Sequence, residues 1–64
     1  MWTKLFEVSN AYVAETWWEL LSSEALAVRV VPPLDDPKAG AMASRTIYIP
    51  DSKTHVAREI LRKI

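Results

Sequence analysis

The chain has 64 residues, zero formal net charge at pH 7, no cysteine and a single histidine. A domain this short buries only about 60% of its unfolded surface, and its composition excludes a disulfide, a thiolate metal site or a histidine cluster as a staple. Its neutral balance argues against a strongly electrostatic nucleic-acid or membrane partner, and no apolar run nears the ~20 residues of a membrane span. What remains to stabilise it is a well-packed helix-on-sheet core, self-association, or both. The opening MWTKLFEV lacks the charged region and apolar core of a signal peptide, so a cytoplasmic location is expected.

Trp2 to Val8 reads as a first strand. Alternation puts Trp2, Lys4, Phe6 and Val8 on one side and Thr3, Leu5 and Glu7 on the other. Neither set is cleanly polar, so the buried side stays open. Ser9 and Asn10 are both good N-caps for a first helix over 11–24. At about 100° per residue, Ala14, Trp17 and Leu21 share its centre, with Trp18 on one shoulder and Val13 and Leu20 on the other. Tyr12, Glu15, Glu19 and Ser22 are expected to meet solvent.

Leu26 to Val31 reads as a second strand with Leu26, Val28 and Val30 toward the core, ended by Pro32-Pro33. The connection over 33–44 is long for a hairpin, and its Asp-Asp-Pro and Ala-Gly steps are turn chemistry. Thr46 to Ile49 is a third, β-branched strand that stops at Pro50. Asp51 is expected to cap a closing helix whose stripe is Val56, Ala57, Ile60, Leu61 and Ile64. Glu59 and Lys63 are placed as an i,i+4 pair.

The whole chain, 1–64, is thus a single α+β domain: a ferredoxin-like β-α-β-β-α with two helices on one face of a three-stranded sheet. A right-handed crossover is expected to set strands one and three parallel and adjacent, with strand two beyond. Strand one then has an open edge, a template for another chain.

The first helix with Ala14-Glu15 and Leu20-Leu21, then a short apolar strand, resembles the prokaryotic signal-transducing protein family. So does the closing IYIPDSKTHVAREIL. That family consists of small bacterial domains of unknown function grouped by fold with the PII (GlnB-like) regulators. The resemblance spans nearly all of the chain except 33–44 and rests on caps, apolar spacing and one proline. It implies a ferredoxin-like fold and a regulatory or interaction role. In PII regulators the loop between strands two and three reaches partners, and 33–44 lies at the equivalent place. No nucleotide-binding feature of true PII proteins is present, so no cofactor is expected. Relatives place glycine where the first helix hands over to the second strand, and Ala25 stands there. A positive φ at that point would cost on the order of 1 kcal/mol with alanine, so a different turn geometry is expected.

Candidate sites are few. His55 and Asp51 together could be read as a base, but no nucleophile is spaced to use it, and a solvated surface histidine explains the residue. Asp35 and Asp36 could hold a hard cation, yet two adjacent carboxylates without further oxygen ligands read better as turn and solubility residues. Trp17 is expected in the core. Trp2 and Trp18 are candidate interface anchors, against the plainer alternative that each seals the rim of a small core. Arg29, Arg45, Tyr48 and Val31 are expected on the sheet face away from the helices. Such a mixed aromatic and basic face is the kind on which RNA-recognition sheets stack bases, but no RNP-like run is present, and nucleic acid is disfavoured. Helix one is acidic (Glu15, Glu19, Glu24) and helix two largely basic (Lys53, Arg58, Arg62, Lys63), an asymmetry expected to orient the helices or two protomers.

The functional expectation is a small regulatory or protein-interaction module without catalysis or metal. Its protein partner is not specified by the sequence; a homodimer through the strand-one edge or the sheet face fits the residues. A small-ligand sensor with 33–44 as its lid is the first alternative, and nucleic-acid binding on the open sheet face the second.

Overall fold

The structure, a computed structural model, describes residues 1–63. Its elements run β1 (Trp2–Val8), α1 (Ala11–Ser23), β2 (Arg29–Val31), β3 (Arg45–Pro50), a 3-10 turn (Asp51–Lys53) and α2 (Thr54–Arg62). The protein is α+β, with two helices and a three-stranded antiparallel sheet of order β1-β3-β2.

β3 is the centre of the molecule because it alone pairs on both edges. Its alternation is strict: Arg45, Ile47 and Ile49 are fully buried, whereas Thr46, Tyr48 and Pro50 are half-buried. Ile47 and Ile49 join Ala14 and Leu21 of α1 and Ala57 and Ile60 of α2 in one apolar cluster, so both helices cover the same side of the sheet. Each of the leucine and isoleucine side chains contributes roughly 1.5–3 kcal/mol on full burial. Val56 is half-buried and packs against the cluster, and Leu61 is half-buried; the expected stripe residue Ile64 lies outside the described residues.

The expected parallel pairing of β1 with β3 is not found. The two are antiparallel, from Trp2 opposite Pro50 to Val8 opposite Arg45. β2 is also antiparallel to β3, with Arg29 opposite Tyr48 and Val31 opposite Thr46. β1 and β2 therefore run the same way, with α1 crossing between them and β3 inserted in the gap. The long connection over 33–44 returns the chain in the opposite sense, which sets β3 antiparallel to both neighbours.

A bulge settles which side of β1 is buried. Lys4 faces Tyr48 and Phe6 faces Ile47, so Leu5 is an extra residue without a partner. Directly opposed residues in a ladder share a face, and one extra residue reverses the phase beyond it. Trp2, Lys4 and Glu7 thus lie on the open side with Tyr48, and Thr3, Phe6 and Val8 on the covered side. Neither of the two alternating sets expected from the sequence survives intact.

The helix ends account for other departures. Asn10 Oδ1 accepts from the Val13 N–H at 3.0 Å and caps α1. At its far end the Leu26 N–H donates to the Leu21 carbonyl at 3.2 Å and the Ala25 N–H to Ser22 at 3.0 Å. This paired closure requires a left-handed residue at the position of Ala25, and its φ is +62°. The expected change of turn geometry is absent: alanine occupies the glycine place. The closure seats Leu26 next to Leu21 in the core and holds 26–28 out of the ladder, so β2 is three residues long instead of six.

Asp51 does not cap a helix with its side chain. Its carboxylate accepts from the Thr3 hydroxyl, and its N–H donates to the Met1 carbonyl at 2.9 Å. The residue ties the entry of the last helix to β1. Glu59 pairs with Arg62 at 3.2 Å instead of the expected Lys63, and no ion pair joins α1 to α2 among the described residues.

Candidate functional site

The sheet side away from the helices carries Trp2, Lys4 and Glu7 from β1, Thr46, Tyr48 and Pro50 from β3, and Arg29 and Val31 from β2. The Arg29 guanidinium lies 5.8 Å from the centre of the Trp2 ring. Because Trp2 is opposite Pro50 and Arg29 opposite Tyr48, this cation–π contact reaches diagonally across the central strand. Trp2 and Val31 remain 42% and 44% exposed, so the pair forms a surface, not a second core. Of the candidate interaction residues, the structure brings together Trp2, Arg29 and Tyr48.

It keeps the others apart. Trp18 is exposed on the shoulder of α1, in the helical layer. Trp17 packs on the core edge-to-face with Phe6, ring centres 5.0 Å apart. Asp36 is a turn residue: its carboxylate accepts from the Lys38 N–H at 2.9 Å, and its carbonyl from Gly40. Asp35 is exposed, and no cluster of three or more potential ligating side chains occurs among the described residues. His55 is exposed. Lys4, Glu7 and Thr46 belong to the open face although the sequence did not single them out; the bulge that places the first two has no signature in one sequence.

Arg45 is the main correction. It was expected on the open face, but it lies on the same side of β3 as Ile47 and Ile49 and is 0% exposed. Alternation at 45, 47 and 49 carried that answer in the sequence. Nη1 donates to the Ala43 carbonyl at 2.5 Å and Nη2 to the Gly40 carbonyl at 2.9 Å, while Nε is buried without a partner. Its removal leaves Lys4 and Arg29 as the cations of the open face, which weakens that face further as a nucleic-acid platform.

The connection over 33–44 is thereby organised. Leu34 packs against the core, the Asp36 N–H donates to Pro33, and the Ala11 N–H at the start of α1 donates to the Ala41 carbonyl at 2.8 Å. Gly40, Ala41 and Met42 are exposed. No cleft or closed pocket is present among the described residues. No helix is long and apolar enough to cross a membrane among them.

No family model, no curated protein and no solved structure matches the chain. The functional reading rests on the geometry.

Proposed function

We propose that the chain is a small cytoplasmic regulatory or protein-interaction module that performs no catalysis, binds through its open sheet face and assembles as a homodimer. The observation that carries this reading is the gathering of Trp2, Arg29, Tyr48 and Val31 on a sheet side that neither described helix covers. Aromatic and arginine side chains are the usual anchors of protein interfaces. The sheet face is the better contact than the β1 edge, because the bulge at Leu5 interrupts that edge. The ferredoxin-like grouping and the likeness to the signal-transducing family belong to this proposal. Their support is the β1-α1-β2 crossover with β3 between its strands, and a loop at the place where PII regulators reach partners. Sedimentation velocity at micromolar concentration tests the assembly. A dimer that Tyr48→Ala converts to monomer is expected, and a strictly monomeric wild type removes the self-association.

A second reading, a small-ligand sensor with 33–44 as its lid, has its own observation: a fully buried cation holds that loop through two neutral carbonyls. A thermal-shift screen of metabolites and nucleotides tests it, and a screen without any stabiliser removes it.

A further inference from the structure

We infer that Arg45 is the receptor for a small oxyanion of the phosphate class, and that the carbonyls of Gly40 and Ala43 occupy its guanidinium until that anion binds. The inference rests on the lid reading and names the ligand chemistry for it.

The argument begins with the charge. A buried cation ordinarily has a counter-charge, because neutral dipoles replace lost water incompletely. Arg45 has full burial, two neutral acceptors and a third donor, Nε, that is unsatisfied. No carboxylate among the described residues pairs with it. Glu7 adjoins Val8, the residue opposite Arg45, but its carboxylate accepts from the Ser44 hydroxyl at 3.3 Å, and its strand position faces the open side. A buried unsatisfied donor on a charged group calls for an explanation, and a role in receiving a ligand is one.

The geometry then selects the ligand. A guanidinium presents parallel donors matched to two oxygens of one anion, and that bidentate pairing adds a full counter-charge and geometric specificity that a neutral carbonyl does not supply. A phosphate-class oxyanion could serve Nε and one Nη together, which two separate carbonyls do not. The exchange requires only a local movement. Both acceptors lie in residues 40–43, three of which are exposed, and Gly40, at φ +75° with nothing within 4 Å of its Cβ position, could rotate at low steric cost. One further backbone bond, Ala11 to Ala41, fastens the same segment to α1. Anion binding would thus free one end of the lid while β3 stays in place.

The test is a titration of isotope-labelled protein with inorganic phosphate, against chloride at equal ionic strength, followed by NMR. Phosphate is expected to move the Arg45 Nε–H resonance and the amides of residues 40–44 and Ala11 in a single saturating process. Arg45→Met is expected to weaken that process at least about tenfold. The Nε–H readout is made on the wild type, so the inference stays testable if the variant does not fold. Shifts confined to the surroundings of surface lysines such as Lys38, or equal responses to chloride, overturn it. Loop amides that respond to a neutral metabolite while Nε–H stays fixed overturn the anion inference and leave the lid standing. A loop that responds to nothing overturns both.

Discussion

The two sides of β3 share one backbone and differ in almost everything else. On the covered side Ile47 and Ile49 are sealed by two helices and Arg45 is buried against the 40–43 segment; on the other, Thr46, Tyr48 and Pro50 are half-buried. The difference shows how a 64-residue chain divides its labour. One set of alternate residues supplies the cohesion, and the interleaved set stays partly exposed. Arg45 breaks the division, being a charge on the cohesive side.

The comparison is broken most severely by Ile47→Ala. It should lower stability by roughly 2–5 kcal/mol, since a buried Ile truncated in a small core leaves a cavity; that is a large share of the ~3–10 kcal/mol a domain of this size commands. Urea denaturation measures it. Arg45→Met should come next, at about 1–3 kcal/mol, because two charge-assisted bonds are lost and two loop carbonyls are released. Hydrogen exchange should show protection vanishing at Gly40 while β3 amides keep theirs. If β3 amides lose protection equally, Arg45 belongs to the general core and not to the loop. Ala25→Gly should raise stability by about 1 kcal/mol, by relieving the +62° φ, and it supplies a firmer background on which the two losses can be ranked. Tyr48→Ala sits at the small end, within about 1 kcal/mol for the monomer, yet it should abolish the proposed dimer in sedimentation. A Tyr48 variant as unstable as the Ile47 variant would erase the distinction between the two sides.

Much of the architecture was legible because local preferences agree with it. The apolar run Ile47-Tyr48-Ile49, the stop at Pro50 and the helical spacing of Ala57 and Ile60 each place an element without knowledge of the rest. Strand direction was not legible, because it depends on where 33–44 returns the chain and on no single residue. The orientation of β1 was hidden by Leu5, whose lack of a partner is a property of the pair and not of the strand. The shortening of β2 follows from a closure completed between α1 and Leu26. For the site, Trp2, Arg29 and Tyr48 lie on the sheet side away from the helices, but their convergence depends on register. The misplacement of Arg45 was avoidable: its chemistry outweighed its parity with Ile47 and Ile49, which was the better guide.

The irregularity at Leu5 has a consequence for how the protein behaves when crowded. A smooth seven-residue border would let copies stack into an endless ribbon, each molecule seeding the next. Removing Leu5 would restore an uninterrupted border and keep every remaining side chain of β1 on its present side. The shortened protein, which also loses the packing of Leu5 on the core, should therefore polymerise into fibrils more readily than the natural chain, a difference that thioflavin fluorescence would register.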